Sequence, residues 1–238
     1  MLIGADGKPL IVHADAGSLK LFVCGNSNCS SGGSSRTLVS GLSDITDIAV
    51  AMGDDGNPFV AFGAYDVASG FVNSLRRYVC ANPTCSSGSV GEVYAPLGQV
   101  GLEVSVAIGS DGNPVIAHRT VNGLGLYVCS NPSCSTGSNR DLLSGDYFSP
   151  AVVIGLGCVP YIAHREGLAG IDLEIFVCAN VSCTSGQNER LVTPGTRGYG
   201  LSMVRGADGT PLIAHFNGDG GDLELAQVKF AITNVRFD

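Results

Sequence analysis

The chain has 238 residues, a formal net charge of −8 and 34 glycines, and only 14% of its residues are charged. Its only adjacent basic residues are Arg76 and Arg77, so it lacks the basic surface that phosphate backbones require, and we exclude nucleic acid as a partner. No apolar run approaches the ~20 residues that span a bilayer. Abundant glycine and β-branched residues favour short strands joined by tight turns over long helices.

Five similar segments follow one another along the chain, and each contains a turn that ends at a proline. The segments are Ile3–His13, Met52–Phe62, Ile108–His118, Ile154–His164 and Arg205–His215. Their prolines are Pro9, Pro58, Pro114, Pro160 and Pro211, spaced 49, 56, 46 and 51 residues apart. A self-similar unit of this length indicates a repeat architecture.

Each unit has the pattern of four strands, as the third one shows. Glu103–Gly109 alternates small and apolar residues, and an Asp-Gly turn leads to a second strand, Pro114–His118. A third strand, Leu124–Cys129, and a fourth, Asn139–Ser144, complete the unit. In the last unit, Leu223–Phe237 supplies strands three and four without cysteines. Five antiparallel four-stranded units predict an all-β fold, a five-bladed β-propeller that forms a single domain over residues 1–238.

Eight of the nine cysteines form four C-x4-C pairs around the turn between strands three and four. The pairs are Cys24/Cys29, Cys80/Cys85, Cys129/Cys134 and Cys178/Cys183. Structural zinc would need two such pairs brought together, so four local disulfides are the simpler interpretation. Disulfides persist in oxidising compartments, which predicts a secreted or cell-surface protein. Reduced thiol pairs in a cytosolic protein are the alternative. Cys158 is left over, either as an exposed free thiol or as a buried inert one.

The double motif of an Asp-Gly-x-Pro strand and a C-x-N-x-x-C turn resembles a cysteine-containing propeller repeat common in extracellular bacterial proteins. The resemblance covers essentially the whole chain. It departs from that family where His, or once Phe62, replaces the usual Tyr, and where Cys158 and Val159 replace the turn glycine and its neighbour. The resemblance implies the propeller fold and an extracellular setting, and it implies no activity. The sialidase-type Asp-box is absent, and the chain has no Trp.

The histidines all occupy one repeat position, the end of strand two. They are His13, His118, His164 and His215. A ring of imidazoles could bind a transition metal. However, Phe62 holds the fifth equivalent position and cannot be a ligand. We therefore favour packing, with each imidazole opposite a small residue of strand one, such as Ser105 opposite His118. No cofactor is expected.

Asp47 and Glu103 share a repeat position at the start of strand one, which in a propeller lies at the mouth of the central channel. The two carboxylates are candidate ligand-binding residues, a cation site or an acid–base pair. Solvated rim charges are the alternative, because Ser149 and Gly200 hold the position in later repeats. Loops that lead into strand one contribute polar and aromatic candidates to the same face, unless their tyrosines only anchor the loops. These candidates are Tyr94, Asp146, Tyr147, Arg197 and Tyr199.

Near-identical repeats leave few unique residues for catalysis. The sequence therefore favours a non-catalytic, lectin-like extracellular module that binds a glycan or a protein at the channel-mouth face. The absence of Trp weakens the glycan version, because aromatic stacking is the usual contact with sugars. One alternative is a five-bladed enzyme resembling glycoside hydrolases, with carboxylates at the channel mouth. Another is a purely structural adhesin or stalk segment. The ligand and the oligomeric state stay open.

Overall fold

The computed structural model describes residues 1–66, 72–95, 100–167, 172–192 and 197–228. Within these ranges the chain forms nineteen β-strands and one short 3-10 turn, Leu156–Cys158. In none of these ranges is there a helix long and apolar enough to cross a membrane.

The strands form five sheets in chain order. The first sheet contains β1 (Leu2–Ile3), β2 (Pro9–Asp15), β3 (Ser18–Val23) and β4 (Ser34–Val39). The second contains β5 (Asp44–Met52), β6 (Pro58–Asp66), β7 (Val72–Cys80) and β8 (Gly88–Tyr94). The third contains β9 (Val100–Ile108), β10 (Pro114–Thr120), β11 (Gly123–Cys129) and β12 (Gly137–Ser144). The fourth contains β13 (Tyr147–Ile154), β14 (Pro160–Glu166), β15 (Asp172–Cys178) and β16 (Gly186–Val192). The fifth contains β17 (Arg197–Arg205), β18 (Pro211–Asn217) and β19 (Asp222–Gln227).

Every sheet is an antiparallel meander in which strands adjacent in the chain are hydrogen-bonded. The prediction of an all-β fold built from four-stranded antiparallel units is confirmed for the first four sheets. The fourth strand predicted for the last repeat lies outside the described residues. In each sheet the second strand begins at the repeat proline, a position where the missing backbone N–H costs least.

The hairpin between strands one and two is an Asx turn in four of the repeats. In the third sheet Asp111 Oδ1 accepts a 3.0 Å hydrogen bond from the backbone N–H of Asn113. Gly112 takes a positive φ of 77°, which a side chain would disfavour. In the fourth sheet Cys158 adopts this left-handed conformation at φ 61°, and its thiol is exposed and unpaired with another sulfur. The exposed-thiol alternative for Cys158 is therefore correct.

The core consists of apolar layers between consecutive sheets, because each sheet is apolar on both faces. The first strands of the second to fifth sheets pack on one another in order, β5 on β9, β9 on β13 and β13 on β17, and we call these four the innermost strands. One layer joins Leu10 and Leu21 of the first sheet to Val60 and Phe62 of the second. Equivalent layers join the second to the third, the third to the fourth and the fourth to the fifth sheet.

The outer faces of the first and fifth sheets are exposed. Leu223 and Leu225 of β19 are both 76% exposed, and Ile3 of β1 is 57% exposed. His13 of the first sheet is half-buried, whereas its repeat equivalent His118 is 0% exposed. The closed ring that the sequence predicts would bury these two faces against each other.

The cysteines form the four predicted disulfides, which confirms the interpretation against zinc. They are Cys24–Cys29, Cys80–Cys85, Cys129–Cys134 and Cys178–Cys183. The turns of the second, third and fourth sheets also each receive an arginine from the preceding sheet. Arg36 donates to the carbonyl of Thr84, Arg77 to that of Ser133 and Arg140 to that of Ser182. The carbonyl is always the one before the second cysteine, so the disulfide turn presents a fixed acceptor to the neighbouring sheet.

Candidate functional site

Four consecutive sheets contribute their innermost strands to one open depression of about 460 Å³. It is lined by Thr46, Asp47, Glu103, Val104, Ser149, Pro150, Gly200 and Leu201. Asp47, Glu103, Ser149 and Gly200 hold the same repeat position, so the repeats converge here as the sequence predicts. The structure therefore brings the two predicted carboxylates to one polar depression.

The Asp47 carboxylate is bound on both oxygens by backbone N–H groups. Oδ1 accepts from the N–H of Ile48 at 2.8 Å, and Oδ2 accepts from the N–H of Val104 in the third sheet, also at 2.8 Å. Burial raises the pKa of Asp47 from its ordinary value, and the two N–H donors oppose this rise. Asp47 thus joins two sheets, a role that neither the ligand-binding nor the solvated-charge hypothesis anticipated.

Glu103 repeats this arrangement one sheet further on. Its Oε2 accepts a hydrogen bond from the backbone N–H of Ser149 in the fourth sheet. Its Oε1 lies 3.8 Å from Nη1 of Arg119. Both carboxylates at the mouth of the depression therefore bind the first strand of the next sheet, and they keep only part of their hydrogen-bonding capacity for a ligand.

Irregular backbone aims these side chains into the depression. The pairing register of the first and second strands shifts between Ile45 and Asp47, between Phe148 and Ala151, and between Tyr199 and Ser202. Bulges of this kind re-aim side chains and are typical of strand ends near binding sites. Ser149 and Gly200 take left-handed φ values of 53° and 57° at the shift.

A guanidinium–phenyl stack borders Glu103. The guanidinium of Arg119 lies 4.0 Å from the ring centroid of Phe148, and that of Arg165 lies 4.5 Å from the same centroid. Phe148 is thus unavailable as a stacking platform for a sugar ring. The sequence interpretation missed this cluster. The signal was present, because only the third and fourth repeats follow the strand-two histidine with arginine.

Of the loop candidates, the two described tyrosines pack against histidines. The ring of Tyr94 lies 6.0 Å from that of His118, and the ring of Tyr147 meets that of His164 edge-on at 5.1 Å. This favours the anchoring alternative for both tyrosines. Asp146 is exposed, and its carbonyl accepts from the N–H of Gly167. The side chains of Arg197 and Tyr199 lie outside the described part of the structure.

The histidines lie in separate sheets and do not converge. Nowhere in the described ranges do three His, Cys, Asp or Glu side chains approach closely enough to hold a metal ion. The predicted small partner was wrong by one residue, since His118 pairs with Val104 and Ser105 pairs with Ala117. A one-residue shift puts a side chain on the opposite face of the sheet. Ser105 Oγ instead accepts from the N–H of Val152 in the fourth sheet.

Two histidines are fixed by an asparagine on the fourth strand. His118 Nε2 lies 2.8 Å from Asn139 Oδ1, and Asn139 Nδ2 donates to Asp141 at 2.8 Å. Because the carboxylate accepts from the amide nitrogen, the amide oxygen faces the imidazole, and His118 donates from Nε2. His164 makes the same bond to Asn188. Burial lowers the pKa of His118, and it lowers that of His164 to about 4. Both rings are therefore neutral at pH 7.

No protein-family model matches the chain, and no curated protein matches it. Solved structures do resemble it. A protein of unknown function from Dyadobacter fermentans shares 14% identity at a TM-score of 0.66, covering 94% of this chain and 68% of that chain.

Two further solved structures are carbohydrate-active enzymes. An alpha-L-arabinofuranosidase from Fusarium graminearum shares 10% identity at a TM-score of 0.59, covering 92% of this chain and 69% of that chain. An alpha-L-arabinanase from Cellvibrio cellulosa shares 8% identity at a TM-score of 0.51, covering 98% of this chain and 94% of that chain. At such identities these likenesses show the fold alone.

Proposed function

We propose that the five sheets are the blades of one five-bladed propeller, which acts outside the cell as a non-catalytic glycan-binding module. The observation that carries the proposal is the polar depression lined by repeat-equivalent residues of four consecutive sheets. Convergence of equivalent innermost strands on one site is what a radial arrangement of blades produces. The four disulfides support an extracellular location.

Ring closure brings the exposed face of the fifth sheet onto that of the first. At the four junctions between consecutive sheets, the repeat equivalents of these faces are buried and form the apolar layers of the core. Leu223 and Leu225 pair with Phe216 and Ala214 on one face of the fifth sheet. Burying such a face removes apolar surface from water, at about 25 cal/mol per Å².

The lining of the depression suits sugar hydroxyls. Thr46, Ser149 and the two carboxylates place oxygen atoms along its wall, and a carboxylate oxygen that already accepts one N–H can accept a second donor. Pro150 and Leu201 add apolar contacts. The names of two solved structures with this fold refer to enzymes that act on arabinose-containing glycans, which supports a glycan over a protein ligand.

The hydrogen bonds of the carboxylates favour binding over hydrolysis. A glycosidase needs one protonated carboxyl and one carboxylate that faces the sugar or a water. Both Asp47 oxygens and one Glu103 oxygen are held by backbone N–H groups instead. The raised pKa of Asp47 favours the alternative of a hydrolase, in which Asp47 would be the acid and Glu103 the second carboxylate, and the two solved structures named above are themselves an arabinanase and an arabinofuranosidase.

A glycan array probed with the oxidised protein tests the proposal. Hits for the parent chain should be lost in Gly200→Asn, which projects a side chain into the depression. Gly200 has open space around its Cβ direction, and Ser149 shows that a non-glycine residue tolerates this φ. Glu189→Gln, an exposed change on β16 outside the depression, is the control. Reducing-end release from the array hits would favour the hydrolase. Silence across all glycans, with pull-down of a protein ligand, would contradict the glycan proposal.

A further inference from the structure

A second site lies on the opposite end of the sheets, at the turns that join strands one and two. It is a groove of about 450 Å³ between the second and third sheets. Its apolar floor includes Phe59, Val79 and Ile108, and its rim carries Asp54 and Asp111. The volume falls in the range of small-molecule sites, and apolar walls with few polar groups are typical of them.

The groove is much larger than its equivalent at the next junction between sheets. The equivalent space between the third and fourth sheets measures only about 60 Å³. There Cys158 stands where the larger groove has Gly112, and Val181 stands where it has Pro132. The glycine has no side chain, and this leaves room at the mouth of the larger groove.

Asp54 breaks the repeat at the rim of this groove. The other repeats carry Ala5, Ser110, Leu156 and Ala207 at its position, so the turn does not need a carboxylate there. Asp54 is exposed, and its Oδ2 lies over Gly112, 3.2 Å from where a Cβ would stand. The other rim aspartates, Asp55 and Asp111, accept hydrogen bonds within their own turns.

The charge at the groove is negative. Asp54, Asp55 and Asp111 line it, and none of its lining residues is basic. The neighbouring cation is Arg77, whose guanidinium donates to the carbonyls of Ser133 and Glu92. A ligand seated on Phe59 would therefore meet an apolar floor and a carboxylate rim.

We propose that this groove binds a small organic ammonium ion, an apolar group that carries one protonated amine. The apolar group lies against Phe59, Val79 and Ile108, and the ammonium pairs with Asp54. The site is independent of the glycan depression, because it uses the other end of the second and third sheets.

The test compares 2-phenylethylammonium with 2-phenylethanol, which has a similar shape without the charge. Calorimetric titration of the oxidised protein should detect the amine, while the alcohol should bind at least about fivefold more weakly, as expected for a charge-assisted hydrogen bond at a partly exposed site. Asp54→Ala should reduce amine affinity by a similar factor. Alanine occupies this position in two other repeats, so the variant should fold, and its melting temperature checks this.

Asp146→Ala removes an exposed carboxylate outside the groove and serves as the control, which should leave amine binding unchanged. Equal affinity for the amine and the alcohol would overturn the proposal. So would unaltered amine binding by Asp54→Ala, or no amine binding at millimolar concentration. Binding of a lysine-containing peptide without binding of the small amine would also overturn it.

Discussion

The Asp47 carboxylate of the second sheet accepts a 2.8 Å hydrogen bond from the backbone N–H of Val104 in the third sheet. Glu103 makes the equivalent bond to the N–H of Ser149 in the fourth sheet. The residues that line the depression are thus also the residues that hold the innermost strands together. Binding and stability are consequently coupled at this position, and substitutions must separate the two.

Asp47→Ala removes the acceptor of a backbone N–H at a partly buried junction. We expect the free energy of unfolding to fall by about 1–3 kcal/mol, because an unsatisfied buried donor loses its hydration without compensation. Asp47→Asn keeps an acceptor oxygen and should cost less. Urea unfolding measures both. Asp146→Ala, at an exposed carboxylate, should stay within about 0.5 kcal/mol of the parent chain. Equal losses for Asp47→Ala and Asp146→Ala would refute the inter-sheet role.

Histidine burial predicts a pH dependence of stability. The folded pKa of His164 is about 4, against an unfolded value near 6.5. Between these two pH values the unfolded chain binds more protons than the folded chain. The contribution of neutral His164 to the free energy of unfolding is therefore complete above pH 6.5 and is lost as the pH falls toward 4. A shift of this size corresponds to about 3 kcal/mol. The raised pKa of Asp47 acts in the opposite sense, because protonation then favours the folded state.

The variant His164→Phe isolates the histidine contribution, since the second sheet already carries Phe62 at this position. Plots of unfolding free energy against pH should be flatter between pH 6.5 and 4 for the variant than for the parent chain. Parallel plots would show that His164 does not titrate in this window.

The repeat pattern predicted much of this fold because it is carried by residues that act locally. Proline begins each second strand, aspartate and glycine form the hairpin, and the paired cysteines close the outer turn. The one-residue error in the partner of His118 arose because the register is set where the hairpin closes, at Ile108 and Pro114, and the turn sequence alone does not specify that pair; from there the pairing is regular as far as His118 and Val104. The bonds from Asp47 and Glu103 to the next sheet were missed for a related reason. They depend on how two sheets approach each other, which no single repeat encodes.

Reduction of the disulfides should weaken the protein without unfolding it. Each disulfide closes a short loop, which the chain-entropy model values at about 2 kcal/mol, while the apolar layers between sheets supply most of the stability. Dithiothreitol should therefore lower the melting temperature and leave the β-sheet signal in far-ultraviolet circular dichroism intact at 25 °C. Complete loss of that signal on reduction would show that the disulfides, rather than the apolar layers, supply most of the stability.

The proposed closure of the ring predicts that the face of the fifth sheet that carries Leu225 packs against the first sheet in solution. Leu225→Asp should lower the free energy of unfolding by about 2 kcal/mol or more, as expected for a charge placed in an apolar layer. Val90→Asp, at a residue 51% exposed on β8, is the matched control and should change it by less than about 0.5 kcal/mol. If Leu225→Asp changes the free energy of unfolding as little as Val90→Asp does, the first and fifth sheets do not pack together.

The central claim is that the depression between the innermost strands binds a glycan without cleaving it. Calorimetric titration of an array-selected oligosaccharide, followed by product analysis, tests this most directly. The parent chain should bind and release the oligosaccharide intact, Glu103→Gln should bind it more weakly while remaining folded, and Gly200→Asn should not bind it. Undiminished binding by Gly200→Asn, or conversion of the oligosaccharide to shorter products by the parent chain, would contradict the account.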